Sequence, residues 1–277
     1  MKKPTLADLR DERRMRGLLA KTRQALARAL AARLGEDWSA GKQGRGDALV
    51  LEHGPTRLTF VAIPGGAFDM GLTDADVAAV EATVGATAEI RARIAALRAA
   101  ASPVRRVRIA PFLLARAVLS RAEVERISDG ELHGMYCHEV GRREARRLAR
   151  ALRFRLASEA ELQWVAREGG RAHFVLDAAA KLAATRGDSR RMRSRFGVEE
   201  LFFSQWAEDD FHPTFAGAPQ DGRPWMNGDP GGITTGWTMP EYVDEPEQTF
   251  GLLAAIRGGP QSKARVRFAL DLPSELS

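Results

Sequence analysis

The stretch RFRLASEAELQWVAREGG, residues 153–170, contains the clearest local structural signal of the chain. Ser158 precedes Glu161 by three residues, which is the spacing of a helix capping box, so a helix is predicted to begin directly after Ser158. Upstream, residues 139–152 place Val140, Leu148 and other apolar residues roughly on one side of a predicted amphipathic helix. Arginines cover much of its other side, among them Arg142, Arg146 and Arg150.

Composition limits the possible classes of protein. The chain has 277 residues, of which 44% are hydrophobic, and this is enough to bury a substantial core. No apolar run approaches the roughly 18 residues that span a bilayer, and the N-terminal residues do not resemble a signal peptide, so we expect a cytoplasmic protein without membrane contact. The single cysteine, Cys137, excludes an internal disulfide and any mechanism that needs two thiols in one chain.

The segments before and after residues 153–170 predict both helices and strands, and therefore an α+β protein. A continuous helix is expected from Leu6 to Leu34, begun by a capping box of Thr5 and Asp8 and packed on its own domain with a solvated basic face. A Gly-rich linker follows, and two short strands joined at Gly54 and Pro55 come next. A helix interrupted near Gly85, a strand with a turn, and a short helix lead to residue 139. The loops from Asp209 to Asp244 have little periodicity.

Several blocks, taken in order, resemble the formylglycine-generating enzyme (sulfatase-modifying factor) domain family. The quoted stretch is similar to its helix block through residues such as Arg155, Leu156 and Glu159. Four further blocks also resemble family blocks: FVAIPGGAFDMG (60–71), SPVRRVRIAPFLLARAVLSRAEV (102–124), RFGVEELFFSQWAEDDF (195–211) and AIRGGPQSKARVRFALDLP (255–273). The resemblance implies a C-type-lectin-like fold with little regular secondary structure over residues 47–277, preceded by an N-terminal helix and linker over residues 1–46.

The same resemblance implies that the chemistry is lost. Active members hold copper with two cysteines just after the Arg-Gly-Gly segment, whereas this chain has PQSKARV there, and Cu(I) prefers thiolate ligands. In the family's calcium loop, Ser204 and Ala207 replace the asparagine and the glutamate that would supply oxygens, although Asp209 and Asp210 follow closely. No catalytic residue, cofactor or metal is therefore expected, and Cys137 is interpreted as a small buried residue.

The leading hypothesis is a catalytically inactive, regulatory domain that binds a protein partner through its loop-rich part. Aromatic and methionine residues on loops are good interface anchors, and the candidates are Trp206, Phe211, Trp225, Met226, Trp237, Met239 and Tyr242.

Two alternatives stay open. A divergent metal-dependent oxidase predicts a polar pocket that contains two or more of His133, His138, His173 and His212. An arginine-mediated nucleic-acid binder predicts strong salt dependence and a basic patch formed by Arg142, Arg146, Arg150, Arg190, Arg191, Arg193 and Arg195.

Overall fold

The computed structural model describes residues 5–43, 48–84, 87–131, 139–172, 193–201, 203–235, 261–273 and 275–276. Within these ranges, a 3-10 helix at Leu6–Arg10 precedes seven α-helices: α1 Glu12–Met15, α2 Ala20–Leu34, α3 Asp74–Val84, α4 Ala88–Ala100, α5 Arg121–Ile127, α6 Arg142–Ala151 and α7 Glu159–Ala166. The strands are β1 Trp38–Ala40, β2 Leu49–His53, β3 Leu58–Ile63, β4 Gly66–Met70, β5 Arg105–Ile109, β6 Phe112–Ala115, β7 Arg155–Leu156, β8 Gln205–Trp206, β9 Thr234–Thr235 and β10 Phe268–Asp271.

A six-stranded antiparallel sheet forms the centre, in the order β1-β2-β3-β6-β10-β7. The predicted hairpin is confirmed: β2 and β3 pair from Leu49 opposite Ala62 to His53 opposite Leu58. Arg57 closes the turn with a positive φ of 55°. Two smaller sheets, β4-β5 and β8-β9, lie outside the central one.

The central sheet separates two apolar cores, because successive side chains of a strand point to opposite faces. On β3, Phe60 and Ala62 belong to a core that also contains α2 and α6 residues. Val61 and Ile63 belong to the other core, which includes Trp164 of α7. The α+β class predicted from the sequence is therefore confirmed.

The prediction of one continuous N-terminal helix is wrong. Gly17 has a positive φ of 65°, and Leu19 is extended, so the helical segments end before it and restart at Ala20. Asp11 caps α1 by accepting from the Arg13 backbone N–H at 2.9 Å. The expected packing on the rest of the chain is confirmed, since Leu26 and Leu30 of α2 are buried in the core shared with β2.

Other local predictions hold or need correction. Ser39 and Ala40, expected in the Gly-rich linker, belong to the edge strand β1, which pairs with β2. The interrupted helix appears as α3 and α4, and the amphipathic helix appears as α6. Ser158 caps α7: its hydroxyl accepts from the Glu161 N–H at 3.1 Å, while Glu161 accepts from the Ser158 N–H at 2.8 Å. The division at residues 46 and 47 stays a prediction. Within the described residues, no helix is long and apolar enough to cross a membrane.

Candidate functional site

Arg142 of α6 organises the loops between β8 and β9. It is 7% exposed, and its guanidinium forms an ion pair with Asp210 at 2.8 Å. The same group donates to the carbonyl oxygens of Glu208 at 2.7 Å, Asp209 at 2.5 Å and Pro230 at 2.9 Å. One side chain thus fixes the start and the end of residues 208–230 against α6.

Asp209 holds the same loops from their other side. Its carboxylate accepts from the backbone N–H groups of Trp225, at 2.8 Å, and of Glu159 at the start of α7, at 2.7 Å. Burial raises the pKa of Asp209 to about 6, although the two backbone hydrogen bonds act to lower it. Its function in the structure is to join the loop at residue 225 to the N-terminus of α7.

Asp210 completes the framework. Burial alone would raise its pKa, but the hydrogen bond and charge of Arg142, with backbone N–H donors from Asn227 at 2.9 Å and Gly228 at 3.4 Å, lower the pKa below the ordinary value. Both aspartates are therefore engaged in holding the loops. Among the described residues, no group of three His, Cys, Asp or Glu side chains is placed to hold a metal ion.

The framework presents an apolar surface that we call the anchor surface, formed by Trp225 and Met226. Phe211, in the same loops, packs against the core that contains Trp164. Phe211 and Trp225 are half-buried, and Met226 is 38% exposed. The ring of Trp225 stacks on His212 with a centroid separation of 3.5 Å and an interplanar angle of 5°. These side chains are held by packing and by the hydrogen-bonded loops beneath them.

An arginine groove lies beside the anchor surface. It is a cavity of about 590 Å³ lined by one side of α6 and by Pro230. Arg146 joins the two features, because it pairs with Glu208 at 2.9 Å and its Nη2 lies 3.8 Å from the Met226 sulfur. Arg143 and Arg150 also line the groove, are exposed, and form no ion pair within the part of the chain that the structure describes.

The structure corrects one of the predicted anchor placements, that of Trp206. Trp206 is 1% exposed, and its indole N–H donates to the Val140 carbonyl at 2.7 Å, so it fills the core instead of lying on the loop surface. Trp237, Met239 and Tyr242 lie outside the described residues. Of the seven candidates, Trp225 and Met226 lie on the anchor surface, and Phe211 is half-buried against the core.

The predicted basic patch is not one surface. Arg142 is buried, as described above, and the side chain of Arg195 is 12% exposed and pairs with Glu12 at 2.8 Å. Arg193 pairs with Glu199 at 2.8 Å. Arg190 and Arg191 lie outside the described residues. Of the described members, Arg146 and Arg150 line the groove on α6 together with Arg142.

The residues required by the oxidase alternative are mostly beyond the described part of the chain. His133, Cys137, His138 and His173 fall in ranges that the structure does not describe. His212 stacks on Trp225, and its Nε2 is buried without a hydrogen-bond partner among the described residues. In the loop that resembles the family's calcium site, Ser204 and Ala207 are both buried.

Sequence reasoning missed the buried cations. Arg267 is 1% exposed and donates to Gln205 Oε1 at 2.6 Å and to the carbonyl oxygens of Ala115, Arg116 and Glu199 at 2.7 to 2.9 Å. Burial lowers the pKa of Arg267 to about 10. The sequence held one signal for the role of Arg142. Asp209 and Asp210 are consecutive acidic residues in an irregular segment, and a buried carboxylate such as that of Asp210 needs a cation as its partner.

Comparison with known proteins finds a remote structural similarity. No protein-family model matches the chain, and no curated protein sequence matches it. Among solved structures, it is similar to PvdO from Pseudomonas aeruginosa, with 19% sequence identity and a TM-score of 0.55. The match covers 83% of this chain and all of that chain. At this level of identity, the two proteins share a remote structural relation, which concerns fold alone.

Proposed function

We propose that this chain is a catalytically inactive formylglycine-generating-enzyme-like domain that binds a protein partner through the anchor surface. The sequence blocks support the family, and the similarity to PvdO is compatible with a common fold. The absence of a second cysteine supports loss of the copper chemistry, since one thiol cannot form the family's pair. The observation that carries the proposal is an exposed methionine beside a half-buried tryptophan on a hydrogen-bonded loop framework.

The hydrogen-bonded loop framework favours binding because it reduces the conformational entropy that the loops lose on association. Loops that are disordered before association lose conformational entropy when a partner immobilises them. Here Arg142, Asp209 and Asp210 already fix the loop backbone with ion-pair and backbone hydrogen bonds. A partner therefore meets Trp225 and Met226 in one prepared arrangement.

The composition of the surface indicates the partner's chemistry. Tryptophan and arginine are enriched among residues that dominate binding energy, and methionine adapts its shape to an apolar partner side chain. The arginine groove alongside supplies positive charge through Arg143 and Arg150, which favours acidic residues at the rim of the partner's surface. The expected partner surface is an apolar side chain flanked by carboxylates.

Replacement of Met226 by Glu tests the proposal. Glutamate has a similar length, removes the apolar contact, and lies within reach of Arg146, so folding stability is expected to change by about 0.5 kcal/mol or less. Leu19→Glu is the matched control, because Leu19 is also an exposed apolar residue, at 75%, but lies at the start of α2.

The assay is affinity capture from the native cell with immobilised full-length protein, quantified by mass spectrometry and followed by titration of the captured partner. We expect the wild type and Leu19→Glu to retain the same partner, and Met226→Glu to weaken it by at least tenfold, a hot-spot loss of about 1.4 kcal/mol or more. Equal affinity of all three proteins would contradict the proposal.

A further inference from the structure

A second cavity lies apart from the anchor surface and shares no lining residue with it. It has a volume of about 1030 Å³ and is formed by the N-terminal segment, β5 and the residues that follow α7. Its lining contains three acidic residues and six arginines, namely Arg10, Arg13, Arg16, Arg106, Arg108 and Arg171. The arginines outnumber the acidic residues, so this cavity, like the arginine groove, is a basic concave surface.

The acidic residues of this lining have partners of their own. Glu12 is buried and pairs with Arg195 at 2.8 Å and also with Arg16, which is itself one of the lining arginines. Asp11 accepts a hydrogen bond at the N-terminus of α1, and Asp221 pairs with Arg223 at 3.1 Å. They therefore leave much of the arginine charge at the cavity uncompensated.

Four arginines of this lining form no ion pair among the described residues: Arg13, Arg108, Arg171 and Arg10, of which Arg10 donates to the Glu275 carbonyl oxygen at 2.9 Å. Arg106 and Arg108 are two residues apart on β5, so their side chains project from the same face with a separation of about 6.6 Å along the strand. An extended peptide repeats its same-side residues at about this distance, and a guanidinium binds a carboxylate through two parallel hydrogen bonds.

We propose that this cavity binds an extended acidic peptide segment through Arg13, Arg108 and Arg171. Arg106 lies two residues from Arg108 and is held only by an exposed ion pair with Asp69 at 3.3 Å, which is weak, so the two arginines can take carboxylates at alternate residues of such a segment. The positive field of the cleft attracts these carboxylates. Single-stranded nucleic acid fits less well, because it requires aromatic faces for its bases, and the tryptophan in the lining, Trp164, is only 1% exposed.

The test measures binding of a fluorescently labelled ten-residue polyglutamate peptide to the full-length protein by fluorescence anisotropy at low ionic strength. The variant is Arg108→Gln/Arg171→Gln, in which both positions are exposed and folding is expected to be retained. The control is Arg28→Gln/Arg57→Gln, which removes the same charge from exposed positions outside the cavity. Circular dichroism verifies that both variants are folded.

We expect the cavity variant to weaken peptide binding by about five- to thirtyfold, from the loss of two arginine contacts, and the control by less than twofold. Binding by the wild type is also expected to weaken strongly as salt is added. Equal losses in both variants would show attraction to net charge alone and would overturn the proposal. So would undetectable peptide binding, or tighter binding of a labelled ten-nucleotide oligothymidine.

Discussion

Replacement of Arg142 by Met tests the loop framework most severely. The change removes a buried cation that contacts Asp210 and three carbonyl oxygens, while methionine keeps an unbranched apolar side chain of similar length at this position of α6. Asp210 would remain buried, at 9% exposure, without its cation. Removing one partner of a buried ion pair costs about 3–5 kcal/mol, and we expect the free energy of unfolding to fall by this amount.

The assay is urea unfolding at pH 7, followed by tryptophan fluorescence. Arg143→Met is the matched control, because it makes the same chemical change at the neighbouring, exposed position and is expected to alter stability by about 0.5 kcal/mol or less. The two variants should therefore differ by several kcal/mol although they lie one residue apart.

A double-variant cycle identifies the cause. Asp210→Asn neutralises the stranded carboxylate, so in the Arg142→Met background it should cost less than it does in the wild type, with a coupling of about 1–3 kcal/mol. A loss below about 1 kcal/mol for Arg142→Met, or strict additivity with Asp210→Asn, would refute the reasoning that this ion pair holds the loops.

The remaining predictions concern a glycine, a carboxyl group and metal content. Gly232→Ala should destabilise the fold by about 2 kcal/mol or more, because Gly232 has a φ of 75° and an added Cβ would collide with the Arg142 side chain. Gly217→Ala, at φ 85°, should cost about 1 kcal/mol in the same unfolding assay, because its added Cβ would meet only Trp225 Cζ2 at 3.8 Å, an ordinary van der Waals distance. Burial raises the pKa of Asp209 to about 6, so the folded state binds this proton more tightly than the unfolded chain, whose pKa is near 3.8. The contribution of Asp209 to the free energy of unfolding, about 3 kcal/mol, is therefore fully present below about pH 4 and is lost as the pH rises through about 6. The difference between the pH profiles of the wild type and Asp209→Asn isolates this contribution, and identical slopes in the two proteins would contradict the assignment. Protein purified without chelator should contain no stoichiometric transition metal by mass spectrometry, whereas a stoichiometric metal would favour the oxidase alternative.

Local sequence signals predicted the parts of the fold that depend on neighbouring residues. The capping box at Ser158 and the turn at Gly54 each determine structure within about four residues, and both appear as expected. The break at Gly17 was not predicted, because an isolated glycine is tolerated in a helical pattern and its left-handed conformation here depends on how the N-terminal segment packs.

The site depends on contacts distant in sequence, which explains why its organisation was missed. Arg142 reaches acceptors 66 to 88 residues away, and helical periodicity treats any arginine as a surface residue. Trp206 was expected on a loop because the surrounding residues lack periodicity, but the carbonyl that satisfies its indole belongs to Val140, 66 residues earlier. Composition nominated Phe211, Trp225 and Met226, since large apolar side chains in an irregular segment belong either to a core or to an interface; Phe211 packs against the core, and the binding role of Trp225 and Met226 stays a prediction.

Site-specific photo-crosslinking from position 226 in the native cell tests the central claim most directly. A photoreactive residue at this position replaces the exposed methionine of the anchor surface, and the same residue at position 19 provides the control. The account predicts a discrete crosslinked protein from position 226 that is absent from position 19. No adduct from position 226, or the same products from both positions, would contradict the claim that the anchor surface binds a protein partner.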